Sequence, residues 1–162
     1  MTDTKYHPFV FTLPLGWVAR TDSGSVVTVL MPRENPSDTP FRPNVVVTSI
    51  EFDEKTLATL KEETLSLLSE DMDNVIEVPT LETIASTESF VALWSFRYNV
   101  AGVCVHADQY LHAFGGVGIV CTATFALADV DAERVSLMEV ASLVRLTDDG
   151  VDRARADGVD PE

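Results

Sequence analysis

Three polar residues on two neighbouring predicted strands are the best candidates for chemistry in this sequence. Arg97, His106 and Asp108 lie in the β-rich stretch 88–127. Residues two apart on a strand share a face and lie about 6.6 Å apart, so these side chains can cluster as an acid/base pair with a basic neighbour. No motif places a nucleophile beside them, and the competing interpretation is a satisfied or solvated polar sheet face. We therefore predict that the protein is not an enzyme and has no catalytic residues.

Other patterns that resemble chemical motifs fail on geometry. Gly115, Gly116 and Gly118 lead into a strand, so no helix N-terminus is available to hold a phosphate. His106 and His112 are six strand residues apart, too far for one metal ion. Asp148-Asp149-Gly150 lacks the ligand series of a calcium loop. We predict neither a metal nor a cofactor.

The stretch 88–127 organises the rest of the predicted fold. Turn residues at 99–102 and 115–116 divide it into three antiparallel strands rich in Val, Phe, Tyr, Trp and Thr. Pairing through these turns predicts a core face with Phe90, Ala92, Trp94, Phe96, Tyr98, Val105, Ala107, Leu111, Ala113, Gly118, Val120, Thr122 and Thr124. The opposite, mixed face predicts partial cover and carries Leu93, Ser95, Arg97, His106, Asp108, Tyr110, His112, Ile119, Cys121, Ala123 and Phe125. Its polar members Arg97, His106, Asp108, Tyr110 and His112 are candidate partner contacts.

Hydrophobic periodicity assigns the remaining elements. It predicts strands at 9–13, 25–31, 44–52 and 75–78, with further strand-like residues at 80–85. Leu57, Leu60, Thr64, Leu67, Leu68 and Met72 form a stripe that predicts a helix over 53–72, capped by Asp53. A second, well-buried helix is predicted from Asp129 to about Val144, with either Val135, Met138, Ala141 and Val144 or Leu137, Val140 and Leu143 inward.

Length and composition indicate one domain. The chain has 162 residues, of which 46% are hydrophobic, enough for one core. We predict a single domain over 1–146 and a disordered acidic tail over 147–162, because the tail has almost no apolar surface.

Charge excludes some classes of partner. The formal net charge is -15 with only 11 basic residues, which disfavours nucleic acid and anionic membranes. No secretory leader and no apolar span of about 20 residues is found, so we expect a cytoplasmic protein without membrane insertion. Cys104 and Cys121 are predicted to be separate buried thiols, in keeping with a reducing compartment.

Two short segments carry most of the remaining signal. In the first, Gly16 lets the chain turn after Pro14, and Trp17 covers a sheet end; if Trp17 is fully buried, its replacement by Ala costs about 3 to 5 kcal/mol. The second segment, 41–44, lies where a proline-rich loop over 32–43 ends and the next predicted strand begins. There Asn44 bonds local backbone, whereas Arg42 holds either an acidic partner or the protein's own acidic surface.

These segments resemble a known family. Phe11-Thr12-Leu13-Pro14-Leu15-Gly16-Trp17 resembles the strand-Pro-x-Gly-Trp opening of the Mog1/PsbP-like superfamily. Phe41-Arg42-Pro43-Asn44-Val45-Val46-Val47 is similar to its Phe-x-Pro-Asn strand entry. The superfamily includes the DUF1795/DcrB proteins and the actinobacterial LpqN/LpqT lipoproteins, and the resemblance covers about residues 8 to 146. The sequence departs from LpqN/LpqT in showing no lipoprotein leader.

The resemblance implies an α+β fold, an α/β/α sandwich with a mainly antiparallel sheet of six to seven strands. It also implies binding rather than catalysis, since members include a Ran-binding factor, a photosystem subunit and secretion-effector chaperones. We expect an adaptor or chaperone-like module of a bacterial, actinobacterial cell that binds a secreted or envelope protein, with Phe41 and Arg42 as further candidate contacts. A homodimer stays open, as does a small-molecule or hydrolytic site on the mixed face.

Overall fold

The computed structural model describes residues 1–6, 8–23, 26–32, 41–51, 54–78, 90–114 and 117–147. Its strands are β1 (Thr2–Tyr6), β2 (Phe9–Leu13), β3 (Val18–Ser23), β4 (Val26–Leu30), β5 (Asn44–Glu51), β6 (Asp73–Val78), β7 (Phe90–Val100), β8 (Val103–Phe114), β9 (Val117–Ala126) and β10 (Arg145–Leu146). Its helices are α1 (Glu54–Asp71) and α2 (Val130–Ser142), the latter entered through a 3-10 turn at Leu127–Asp129. The predicted cap Asp53, the strand-like 80–85, the turn at 115–116, loop residues 33–40 and the tail beyond Thr147 lie outside the described residues.

The strands form two antiparallel sheets. The larger has seven strands in the order β3-β4-β5-β9-β8-β7-β6, and the smaller has three in the order β1-β2-β10. The predicted α+β class and mainly antiparallel sheet are confirmed. The small sheet was not predicted, because β1 is a polar run and β10 is only two residues long.

Each face of the large sheet has its own core. On one face the buried residues are Trp94, Phe96, Tyr98, Val105 and Ala107. Leu65 and Leu68 of α1, and Met72 just after the helix, pack against them. The predicted inward position of Leu67 is wrong, since this side chain is 65% exposed. Leu67 lies about 100° around the helix from Leu68, which places it on the outer side.

The mixed face is the main core of the protein. Tyr110, Ile119, Cys121 and Phe125 pack there against β2 and α2. Helix α2 contributes Leu137, Val140 and Ala141, and Val144 is added just after the helix. The predicted partial cover is therefore wrong: His106 is 2% exposed and Asp108 is 1% exposed. α2 buries neither predicted stripe alone, and Val135 and Leu143 are exposed.

The long hairpins follow the predicted pairing over most of their length. Tyr110 pairs with Cys121, as the turn at 115–116 predicts. A bulge between Ala92 and Trp94 shifts the β7–β8 register, so Phe90 pairs with His112 and Ala92 with Tyr110. These two residues therefore pair with mixed-face residues, contrary to the prediction, because one extra residue in a strand exchanges its two faces. Cys121 is buried, but Cys104 is exposed, next to the β7–β8 turn, so its predicted burial is wrong.

The β7–β8 turn contains a strained alanine. Ala101 has φ of 48° and Gly102 has φ of 80°, the positive pair that a two-residue type I′ turn needs. An alanine with positive φ destabilises the folded state by about 1 kcal/mol or more, whereas a glycine does not. Ala101→Gly should therefore raise the free energy of unfolding by up to about 1 kcal/mol, measured by urea denaturation.

The matched change at the next position should act in the opposite direction. A side chain on Gly102 would meet nothing within 4 Å, so Gly102→Ala adds backbone strain without a clash. If Ala101→Gly destabilises as Gly102→Ala does, the conformation of the turn is not as described.

Candidate functional site

A buried carboxylate lies at the centre of the polar residues predicted on the mixed face. Asp108 on β8 pairs with Ser95 on β7. Its Oδ1 accepts hydrogen bonds from Ser95 Oγ at 2.6 Å and Arg134 Nη2 at 2.7 Å, and contacts His106 Nε2 at 2.9 Å. The side chains of Asp108 and Arg134 are 2% and 12% exposed. Arg134 lies on α2, so this cluster ties the helix to the sheet.

The arrangement fixes the tautomer of His106. Arg97 Nε donates to His106 Nδ1 at 3.2 Å, so Nδ1 must be an acceptor and Nε2 carries the proton that is donated to Asp108. The imidazole ring also stacks on Phe125 at 5.2 Å between centroids. Both ring nitrogens are thus engaged.

This cluster is not a relay for a serine nucleophile. Ser95 donates to the carboxylate rather than to His106, so the histidine is not placed to take its proton. The structure thus brings Arg97, His106 and Asp108 together, as the sequence predicts, but it uses their polar atoms to bind one another and Arg134.

The electrostatics keep Asp108 ionised. Burial alone would raise the pKa of Asp108, but hydrogen bonds with His106 and Ser95, together with the positive charge of Arg134, hold the pKa below its usual value. Burial, reinforced by the charge of Asp108, raises the pKa of the neighbouring Tyr110 far above its usual value. Tyr110 therefore stays neutral at physiological pH.

His112 connects the same helix to the sheet at a second point. Its Nε2 donates to the carbonyl of Ala141 in the last turn of α2 at 2.7 Å. Burial lowers the pKa of His112 despite this bond, so the ring is held neutral. His112 thus satisfies a carbonyl near the end of the helix, where backbone partners are scarce.

Glu133, at the start of α2, is another acidic residue whose pKa is altered. Its Oε2 is buried without a hydrogen-bond partner among the described residues. Burial, reinforced by the negative charge of Asp129, raises the pKa of Glu133 to about 7. Ionised Glu133 therefore opposes folding at neutral pH.

Glu133→Gln should remove this pH dependence. The folded pKa of about 7 lies above the ordinary value of 4.5, so the contribution of Glu133 to stability is complete below pH 4.5 and is lost as the pH rises through 7. The variant should unfold at higher temperature than the parent at pH 8, with the difference shrinking toward pH 4.5. Glu139→Gln, an exposed change on the same helix, is the control. If the melting temperatures of the parent and of Glu133→Gln changed in parallel between pH 5 and pH 8, the raised pKa of Glu133 would be contradicted.

Four of the predicted partner contacts are not at the surface. His106, Asp108, Tyr110 and His112 are at most 4% exposed. Arg97 is half-buried.

Sequence reasoning missed Arg134, although its position three residues before Leu137 on the buried side of α2 was a usable signal. It also missed the buried bond of 2.6 Å from Trp94 Nε1 to Gln109 Oε1.

The second candidate site is a surface at one end of the large sheet. It consists of 14–18, 30–32 and 41–43, and we refer to it as the tip. Trp17 N donates to Pro14 O, and Gly16 between them has φ of 85°, as a type II turn requires at its third residue. A side chain at Gly16 would approach Pro32 at 3.5 Å, so the turn lies directly against the second segment.

Hydrogen bonds join the other two segments of the tip. Met31 N donates to Pro43 O at 3.1 Å, and Arg42 Nε donates to Met31 O at 2.8 Å. Asn44 Nδ2 donates to Arg42 O at 3.1 Å, which is the local backbone bond expected of it. Arg42 thus binds a backbone carbonyl, not an acidic side chain, among the described residues.

Trp17 does not meet the condition of full burial. It is half-buried and packs against the edge of the main core. We therefore expect Trp17→Ala to lower the free energy of unfolding by only about 1 to 2 kcal/mol. Arg42→Ala, which removes a single half-buried hydrogen bond, should cost about 1 kcal/mol or less. Urea denaturation of both variants checks this order, which would be overturned if Arg42→Ala were the more damaging.

The tip exposes apolar side chains that a single chain does not bury. Leu15 is 100% exposed and Val18 is 52% exposed. In the same three segments Trp17, Leu30, Met31, Pro32 and Phe41 are half-buried. Exposed apolar side chains grouped at one end of a sheet mark surfaces that contact other molecules.

Comparison with known proteins identifies the fold. No protein-family model and no curated protein matches the sequence. A Pseudomonas aeruginosa protein of unknown function has a TM-score of 0.54 at 13% identity, over 87% of this chain and 93% of that one. LpqN, involved in cell envelope biogenesis of Mycobacterium tuberculosis, has a TM-score of 0.50 at 14% identity, over 86% of this chain and 83% of LpqN.

A third structure is longer than this chain. A Bacteroides thetaiotaomicron protein has a TM-score of 0.52 at 14% identity over 88% of this chain, which spans only 46% of that protein's length. With LpqN among these structures, the fold is Mog1/PsbP-like, and the predicted resemblance is confirmed at the level of fold. No helix in the described part of the chain has the length and apolar character needed to cross a membrane.

Proposed function

We propose that this chain is a non-catalytic protein-binding module, an adaptor or chaperone-like protein of a bacterial cell, that presents the tip to another protein. The observation that carries the proposal is the exposure, at one end of the sheet, of Leu15 completely and of Val18, three residues further along the chain, by half. Leaving two such side chains in water is unfavourable, and covering them with a partner reverses that cost.

The composition of the tip suits a protein partner. Binding surfaces are enriched in Trp, Met, Phe and Arg, and the tip contains Trp17, Met31, Phe41 and Arg42. Their backbones are held by the turn at 14–17 and by the bonds among Met31, Arg42 and Pro43, so little ordering would be needed on binding.

The polar cluster on the mixed face argues against a small-molecule or hydrolytic function. Asp108 is 1% exposed, and its ionised oxygen is shared by Ser95, His106 and Arg134. A substrate would have to displace α2 to reach it. We assign the cluster to holding α2 in place.

The cellular setting is part of the same proposal. LpqN shares the fold and is involved in cell envelope biogenesis, so a secreted or envelope protein is the partner that we propose. The module itself would meet it in the cytoplasm, where the exposed thiol of Cys104 stays reduced. A second copy of the chain is the alternative partner.

Affinity purification with a matched pair of variants tests the proposal. Tagged parent, Leu15→Ser and Leu67→Ser are expressed in the native host, and the captured proteins are compared by mass spectrometry. Leu67 is the control because it is an exposed leucine on α1, outside the tip. We expect one or more proteins captured by the parent and Leu67→Ser to be lost with Leu15→Ser. Capture of the bait alone, or identical partners with all three baits, would contradict the proposal.

A further inference from the structure

Arg42 gives the tip a positive charge that the described part of the chain does not neutralise. Its Nε bond to Met31 O uses one of the five N–H donors of the guanidinium group. Among the described residues Arg42 forms no ion pair, whereas Arg134, Arg145 and Lys61 each contact a carboxylate. The Nε bond also fixes the plane of the group and leaves the N–H groups of its terminal nitrogens to donate to a partner molecule.

The tip differs in charge from the rest of the protein. The whole chain has 26 acidic and 11 basic residues. The tip segments 14–18, 30–32 and 41–43 contain no acidic residue, and Arg42 is their one basic residue. A negatively charged group of a partner is therefore attracted to Arg42 at short range, whereas a basic segment would be repelled by it.

We propose that the tip binds a peptide segment in which a carboxylate side chain is flanked by apolar residues. This inference rests on the proposed function and names the chemistry of the partner. The carboxylate would accept hydrogen bonds from the terminal nitrogens of Arg42, a geometry that the planar guanidinium suits. The flanking apolar side chains would cover Leu15 and Val18.

Two labelled peptides that differ in one group test this inference directly. One carries Glu between Leu and Phe residues, and the other carries Gln in place of Glu. Fluorescence anisotropy with the parent should show the Glu peptide binding about fivefold more tightly at low salt, a ratio that falls as salt is added. The comparison needs no protein variant, so altered folding cannot produce the difference.

Protein variants locate the effect. In Arg42→Gln the two peptides should bind equally, whereas Arg145→Gln, which alters an exposed arginine paired with Asp3, should keep the ratio. The inference is overturned if the parent binds both peptides equally, if it binds neither up to about 1 mM, or if the ratio survives in Arg42→Gln.

The failure of this inference is distinguishable from that of the proposed function. If Leu15→Ser loses the cellular partner but the Glu and Gln peptides bind the parent equally, the tip binds proteins without recognising a carboxylate. If Leu15→Ser retains every partner, the tip is not the docking surface and the proposed function itself fails.

Discussion

Replacing Asp108 by Asn should lower the free energy of unfolding by about 3 to 5 kcal/mol, as is usual when one member of a buried ion pair is removed. The substitution changes the shape of the side chain very little. It leaves the guanidinium of Arg134, which is 12% exposed, without its counter-charge. Urea denaturation at pH 7 measures the loss.

The protein contains a matched control for this experiment. Asp3 likewise accepts a hydroxyl hydrogen bond, from Thr12, and pairs with an arginine, Arg145. That pair is exposed, at 57% for Asp3 and 52% for Arg145, so Asp3→Asn should leave stability nearly unchanged.

The pH dependence offers a second measurement on the same variant. Because the folded pKa of Asp108 lies below its ordinary value of 3.8, its stabilisation is present above that pH and is lost as the pH falls further. The difference between parent and Asp108→Asn should therefore shrink below about pH 4. An Asp108→Asn protein that unfolds at the same urea concentration as the parent would show that the cluster does not hold α2.

Replacing Phe125 by Ala should cost a similar amount, about 3 to 5 kcal/mol, for a different reason. Phe125 is 0% exposed in the core beneath α2, and its ring stacks on His106. Its removal leaves a cavity and also frees one side of the imidazole. Thermal and urea unfolding of the variant should agree on the loss.

The control for Phe125→Ala is Leu15→Ala. Leu15 is 100% exposed, so this change should alter stability by less than about 0.5 kcal/mol. If Phe125→Ala were as mild as Leu15→Ala, the mixed face would be partly open, as the sequence alone suggested. The pair of variants thus measures the cover over that face.

Local sequence pattern was enough to determine most of the elements. Short β-rich runs bounded by turn residues predicted β2, β4, β5 and the three strands β7–β9. Helical spacing predicted α1 and α2 within one or two residues. The pairing of Tyr110 with Cys121 followed from the turn at 115–116. These features depend on neighbours along the chain, which is why they can be read without the fold.

Other features depend on groups that are distant in sequence. The bulge between Ala92 and Trp94 has no signal in residue type, yet it changes which residues of β7 and β8 pair. The strands β1 and β10 form only because β2 lies between them and supplies hydrogen bonds. Leu67 fits the leucine stripe of α1 by spacing, but the orientation of the helix on the sheet leaves it exposed.

The sequence by itself determined that Arg97, His106 and Asp108 share one sheet face, because strand alternation places them there. Only the tertiary structure decided that this face is buried, because its cover comes from α2 and β2, which are remote in the chain. Arg134 reaches Asp108 across 26 residues and completes the balance of charge. A polar residue on a strand looks the same in sequence whether water or a distant arginine satisfies it, and packing determines which of the two occurs.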